Sequence, residues 1–168
     1  MYHIVDRVVY GIHGVCRIVD EEKSTVDRKT VTFLVLEPVG QEGTRYLVPS
    51  HNETAMGKLR SMLSADELET LIQSPEVHSD GWIQDENGRK QLYRELISSG
   101  DRVSFLRMLH TLYLHRKSRT AAGRKVHQAD ENFLRDAEKL LASEISVIMD
   151  ISHEEAKTYL RNLLGVES

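Results

Sequence analysis

Residues 30–37, Thr30-Val31-Thr32-Phe33-Leu34-Val35-Leu36-Glu37, decide the fold class. Side chains alternate along an extended chain. Val31, Phe33 and Val35 therefore share one face of this run, and Thr32, Leu34 and Leu36 share the other. Rich in β-branched and aromatic residues, it is the clearest strand in the chain. Pro38-Val39-Gly40 ends it. Upstream, residues 2–20 are dominated by Val, Ile and Tyr and punctuated by Gly11 and Gly14. They read as two short strands, at 4–10 and 14–20, with a tight connection. Glu21–Lys29 reads as a polar turn. Downstream, Gln41–Gly43 makes a turn, and Thr44–Val48 is a further strand stopped by Pro49. Four or five short strands in about 50 residues predict a small, strongly bent sheet or barrel. So small a unit buries little surface by itself.

The period changes after His51. Leu63-Ser64-Ala65-Asp66-Glu67-Leu68 is a helix start in which Ser64 and Glu67 can each satisfy the other's backbone N–H. That helix stops near Gln73, ahead of Pro75, and Ser74–Gly81 reads as a linker. From Trp82 onward the pattern is helical: 86–98 with Leu92, Tyr93 and Leu96 inward, then 102–118 with Val103, Leu106, Leu109 and Tyr113. A long helix over 126–149 carries Val126, Phe133, Ala137, Leu140, Ile145 and Ile148 at helical spacing. Gly100 and Asp101 read as a stop and a restart, Gly123 as a break, Ser152 with Glu155 as a second capping box, and Gly165 as the last stop. The organisation is α+β: a β unit at 1–54, a helix and linker at 55–81, and an all-helical domain at 82–168.

Composition bounds the function. Hydrophobic residues make up 40% and charged residues 29% of 168 positions, as in ordinary globular proteins. There is no apolar run long enough for a membrane span, and MYHIVDRVVY lacks the pattern of a secretory signal. A lone Cys16 in an apolar run reads as a core residue in a reducing, cytoplasmic compartment. No phosphate-binding glycine loop and no metal-ligand spacing appears among the eight histidines; His110 and His115 are too far apart around a helix to converge. No catalytic residue, metal, cofactor or small-molecule substrate is expected, and a non-enzymatic protein is.

Two features point to binding. Residues 102–129 hold seven of the 22 Lys and Arg residues and none of the 26 Asp and Glu, within a chain of net charge −4. Such an asymmetry suits either a polyanion-facing surface or a solvated helix end. Its cations flank a helix–helix connection, where they would meet phosphates and set position without reading sequence. The sole tryptophan, Trp82, sits in the polar run SDGWIQDENG. It reads either as a residue pinning a helix start or as an exposed apolar wedge for a minor-groove base step.

Several short motifs then converge. Val8-Val9-Tyr10, His13-Gly14-Val15, Phe33-Leu34-Val35-Leu36 and Val48-Pro49 resemble the CarD-like (CdnL) family of bacterial RNA-polymerase-binding transcription regulators. Trp82, Ser99-Gly100-Asp101, Ala137-Glu138-Lys139-Leu140-Leu141 and Glu144 continue the resemblance in the family's order over nearly the whole chain. The resemblance implies an N-terminal Tudor-like β-barrel that docks on the polymerase β-subunit lobe, a module shared with the transcription-repair coupling factor. It also implies a helical domain that touches promoter DNA beside the bubble, with a Trp at the position of Trp82 as the wedge. Departures are visible. Val5 precedes Asp6 where the family usually has Gly, Gly11 replaces a frequent Pro, and Leu47 stands where some members carry an Arg. Asp85 and Glu86, not cations, follow Trp82, and Asp130-Glu131-Asn132 opens the long helix.

On this reading the polymerase side falls to Arg45, Leu47 and the turn bearing Lys23, Arg28 and Lys29. An exposed edge strand pairing with the partner is the expected mode. Trp82, Arg89 and Lys90, with Arg116, Lys117, Arg119, Arg124 and Lys125, are the expected DNA contacts. The alternative is a protein–protein adaptor that keeps the polymerase-binding module without binding DNA.

Overall fold

A computed structural model of the chain describes residues 2–99 and 101–164. It divides into two compact units, 1–62 and 63–168.

The first unit is an antiparallel sheet of β1 (Arg7–Tyr10), β2 (Val15–Val26), β3 (Lys29–Pro38), β4 (Tyr46–Pro49) and β5 (Leu59–Ser61). A single turn of helix, α1 (Glu53–Met56), precedes β5. The spatial order β4-β3-β2-β1-β5 puts β4 and β5 at the edges. Every strand contributes to one core: Val8, Cys16, Ile18, Leu34, Leu36, Val48 and Leu59 are buried together, with Ala55 and Met56 of α1 against them. Asn52 caps α1 by accepting the Ala55 N–H at 3.0 Å.

The β unit differs from the sequence reading: β1 begins at Arg7 and not at residue 4, and α1 was not read. Glu21–Val26 is strand, paired residue for residue with Leu34–Lys29, so the turn shrinks to Asp27-Arg28. Both turn residues have positive φ (51° and 65°), the geometry of a two-residue hairpin whose twist matches its strands. Strand β5 is an addition, because Leu59-Arg60-Ser61 is too short to display a period. Val5 sits at φ 74°, a conformation that crowds a β-branched side chain; it occupies the position where the resemblance places a Gly.

The second unit comprises α2 (Ala65–Ile72), α3 (Glu86–Ser99), α4 (Arg102–Ala121), α5 (Gln128–Met149) and α6 (His153–Leu163). The capping box forms as read: Ser64 Oγ accepts the Glu67 N–H at 3.1 Å, and Glu67 Oε1 accepts the Ser64 N–H at 3.2 Å. Asp101 accepts the Val103 N–H and Ser152 the Glu155 N–H. The stops read at Gly100 and Gly165 lie outside the described residues. Gly123, at φ 71°, follows α4.

α4 is the central helix. Phe105, Leu106 and all of Met108–Tyr113 are buried, which no one-sided apolar stripe produces. Helices α2, α3 and α5 pack around it, and α6 packs on α5. The inward stripe of α5 is Leu134, Ala137, Leu141, Ala142 and Ile145, with Leu140 and Ile148 half-buried beside it. Val126 precedes that helix, and Leu92 on α3 is turned outward. The 74–81 stretch is no free linker: Val77 is fully buried, and His78 Nε2 donates to the Ile72 carbonyl at 2.7 Å. Burying side chains of Leu or Val size stabilises by roughly 1.5–3 kcal/mol each, so α2 and 74–81 belong to the helical core.

Candidate functional site

Trp82 is held on both faces. The His115 ring of α4 stacks on the indole at 3.5 Å between centroids and 12° from parallel. The Arg89 guanidinium of α3 lies 4.3 Å from the indole centroid. Groups this close would overlap if they shared a face, so the indole is sandwiched. A cation over an aromatic face is attracted by the ring quadrupole. Half-buried, Trp82 packs against the helical core.

Arg89 is not a surface cation. It is 2% exposed. Its Nε and Nη2 donate to the two carboxylate oxygens of Asp130 at 2.9 and 3.1 Å, and Nη1 donates to the Ile83 carbonyl at 2.9 Å. The residue read from the sequence as a DNA contact is therefore an interior cation, and Asp130 at the start of α5 is its counter-charge. Lys90 instead pairs with Glu86 one turn back at 3.1 Å, and that bond holds the Glu86 carboxyl below its usual range.

The acid-free segment also divides. Arg102 pairs with Glu144 at 3.3 Å, and Arg107 Nη2 donates to the Asp80 carbonyl at 3.0 Å. Among the described residues, Arg116, Lys117, Arg119, Arg124 and Lys125 form no ion pair. Arg119 Nε donates to the Lys125 carbonyl at 2.7 Å, and the Arg124 N–H to the Arg119 carbonyl at 2.8 Å. These bonds fold the α4–α5 connection back on the helix end and concentrate the cations there. A helix turns about 100° per residue, so Arg119, four residues on, lies on the His115 face one turn beyond it. The Arg116 guanidinium instead lies 5.5 Å from the Tyr113 ring centroid, round the helix from the indole.

Burial lowers the His115 pKa; Asp130 opposes this, whereas Arg119, Arg89 and His127 add to it. The ring facing Trp82 is thus biased toward its neutral form. Deeper in the unit, Arg161 of α6 forks onto Glu138 of α5 (Nη2–Oε1 2.6 Å, Nε–Oε2 3.1 Å), and Tyr113 of α4 donates its hydroxyl to the same carboxylate. Burial pushes the Glu138 carboxyl up, but the Arg161 and Tyr113 bonds outweigh it and hold the carboxyl below its usual range. Burial, reinforced by Glu138, raises the Tyr113 phenol well above its ordinary value. Three helices are locked by this one carboxylate.

On the β unit, β4 pairs with β3 along one side only. Leu47 points outward, 54% exposed, with Arg45 exposed beside the strand. Tyr46 anchors the strand from within: the His13 ring lies 4.3 Å and the Tyr10 ring 5.7 Å from it. Lys23, Arg28 and Lys29 all lie exposed on the β2–β3 hairpin. Cys16 is buried, and burial pushes its thiol up to about 11, away from a reactive thiolate. Among the described residues, no group of three His, Cys, Asp or Glu side chains could hold a metal, and no helix is long and apolar enough to cross a membrane.

The sequence reading missed the interior roles of Arg89, Asp130 and His115. Arg89 and Asp130 are 41 positions apart, beyond any local signal.

Residues 2–60 match the model of the CarD-like/TRCF RID domain, and residues 68–161 match the CarD C-terminal domain. No curated protein matches the chain. A β unit and a helical unit with these two matches, in this order, define an RNA-polymerase-interacting transcription regulator. The chain belongs to the CarD-like family, whose members are non-enzymatic transcription factors.

Proposed function

We propose that the β unit docks on the β-subunit lobe of RNA polymerase while the helical unit contacts promoter DNA, without reading sequence, near the upstream edge of the bubble. The open side of β4, with Leu47 and Arg45 outward, supplies an edge for strand addition. The hairpin cations Lys23, Arg28 and Lys29 stand ready for the acidic side of such a partner. The observation that carries the DNA half is the juxtaposition on α4: His115 stacks on Trp82, and five cations outside any ion pair begin at the next residue. Phosphate contacts from those cations would fix register, and the exposed part of Trp82 would meet the groove. A protein that binds opened promoter better than closed promoter shifts the equilibrium by that difference and no more. Sequence readout is unnecessary, since the polymerase sets the position. Such work belongs in the cytoplasm and needs no membrane or small-molecule ligand.

The burial of Arg89 favours one second reading, a polymerase-bound adaptor whose α4 cations meet an acidic protein surface. The test is the dissociation rate of promoter complexes formed with the host polymerase, with and without the protein. On the proposed reading, wild type changes the lifetime, Trp82→Ala loses most of that change, and polymerase binding survives the substitution. An adaptor binds polymerase, leaves the lifetime unchanged, and is not competed by short duplex DNA.

A further inference from the structure

The segment Asp80–Ile83 is gripped by a single stripe of α4. Arg107, Thr111 and His115 are spaced four apart, so they lie above one another on the same face. Arg107 Nη2 donates to the Asp80 carbonyl at 3.0 Å. Thr111 Oγ1, 2% exposed, accepts the Gly81 N–H at 3.1 Å. His115 stacks on Trp82 at 3.5 Å. Successive turns of the helix thus hold successive residues. From α3, Arg89 closes the far side by covering the indole and donating to the Ile83 carbonyl. Gly81 permits this approach: a Cβ there would lie 3.1 Å from Arg107 Nε and 3.3 Å from Thr111 Oγ1.

None of these bonds is needed to form α4, whose backbone already pairs internally. The Arg107 and Thr111 bonds reach the 80–83 segment and not another helix; Arg89 separately ties α3 to α5 through Asp130. Their common product is a fixed place and orientation for Trp82, one helical turn from Arg119 on the same face of α4. We infer that Arg107, Thr111 and His115, opposed by Arg89, are positioning residues that hold Trp82 edge-outward for the groove. With both faces occupied, the indole offers a wedge edge and not a free face for stacking on a flipped base. This inference rests on the proposed DNA contact of Trp82.

The test uses the full-length protein and two readouts. Trp82 is the only tryptophan, so its emission wavelength and anisotropy in the free protein report the cradle directly. Lifetimes of promoter complexes with the host polymerase report the consequence. Thr111→Val preserves shape and removes the acceptor; His115→Ala removes the stacked ring. Both should lower the anisotropy and cancel most of the lifetime change produced by wild type, with polymerase affinity kept. Thr111→Ser restores the acceptor and His115→Phe the stacked ring, and both should recover wild-type behaviour. Loss without rescue by the conservative variants would reveal general destabilisation and overturn the inference. So would unchanged anisotropy and lifetime in Thr111→Val and His115→Ala when Trp82→Ala abolishes the effect. If Trp82→Ala itself leaves the lifetime unchanged, the DNA contact fails and the positioning role fails with it.

Discussion

Replacing Asp130 by Ala should be among the costliest single substitutions in the helical unit. The two side chains of the Arg89–Asp130 pair are 3% and 1% exposed, and both carboxylate oxygens accept from the guanidinium. Removing the acid leaves a buried cation with the Ile83 carbonyl and the Trp82 ring as its remaining partners. Breaking a buried pair by deleting one member costs about 3–5 kcal/mol. Folded domains have only about 5–15 kcal/mol to lose. For a unit near 100 residues, each kcal/mol moves the melting point by about 4–8 °C, so a fall of at least about 12 °C is expected. Urea unfolding followed by Trp82 fluorescence reads the correct unit, because the probe touches Arg89. Replacing both partners, Arg89→Met with Asp130→Leu, should recover most of the loss, since an apolar pair needs no counter-charge. A loss below about 1 kcal/mol for Asp130→Ala, or a double variant as unstable as the single, would refute the interior assignment of Arg89.

Further expectations follow from other parts of the molecule. His115 has a folded pKa below its usual value, so its contribution to stability is present above about pH 6.5 and is lost as pH falls through the lowered value. Urea unfolding at pH 7.5 and 5.5 should therefore show a larger acid loss in wild type than in His115→Phe, and equal losses would contradict the shift. Val5→Gly should stabilise the β unit by about 1 kcal/mol, because relief of an L-residue at φ 74° exceeds the added chain entropy and the exposed Val5 side chain loses little packing. Denaturant midpoints decide it; a destabilised variant would show that the strain is absorbed elsewhere. Reversing Lys117, Arg124 and Lys125 to Glu should flatten the salt dependence of DNA binding, by about 0.9 in logarithmic slope for each phosphate no longer neutralised. An unchanged slope would remove these residues from the DNA interface.

What the sequence disclosed was mostly local. Ser64 with Glu67, Asp101 and Ser152 were legible because each cap lies within three residues of its partner, and strand β3 because its composition and alternation are strong. The hairpin Glu21–Lys29 was hidden for a physical reason: beyond the core both sides of the ribbon meet water, so no apolar alternation marks it as strand. α4 concealed its depth because its middle, Phe105–Tyr113, is buried on nearly every side while its end is exposed. The candidate site was legible as a Trp and a basic segment, and illegible in its division of labour. Charge alone cannot distinguish Arg89, committed to Asp130, or Arg107, bonded to Asp80, from Lys117 in solvent. The stripe Arg107, Thr111 and His115 did carry a signal, a spacing of four. Only the place of residues 80–83 beside α4 gives that spacing meaning.

The most direct test is equilibrium binding of the full-length protein to RNA polymerase core from its own host, wild type beside Leu47→Asp. Leu47 is outward on the open edge strand, so the substitution spares the core while placing a charge on the proposed docking face. Wild type should bind, and Leu47→Asp should bind at least about tenfold more weakly, about 1.4 kcal/mol. Equal binding by the two would move the docking face away from β4, and no binding by wild type would contradict polymerase docking itself.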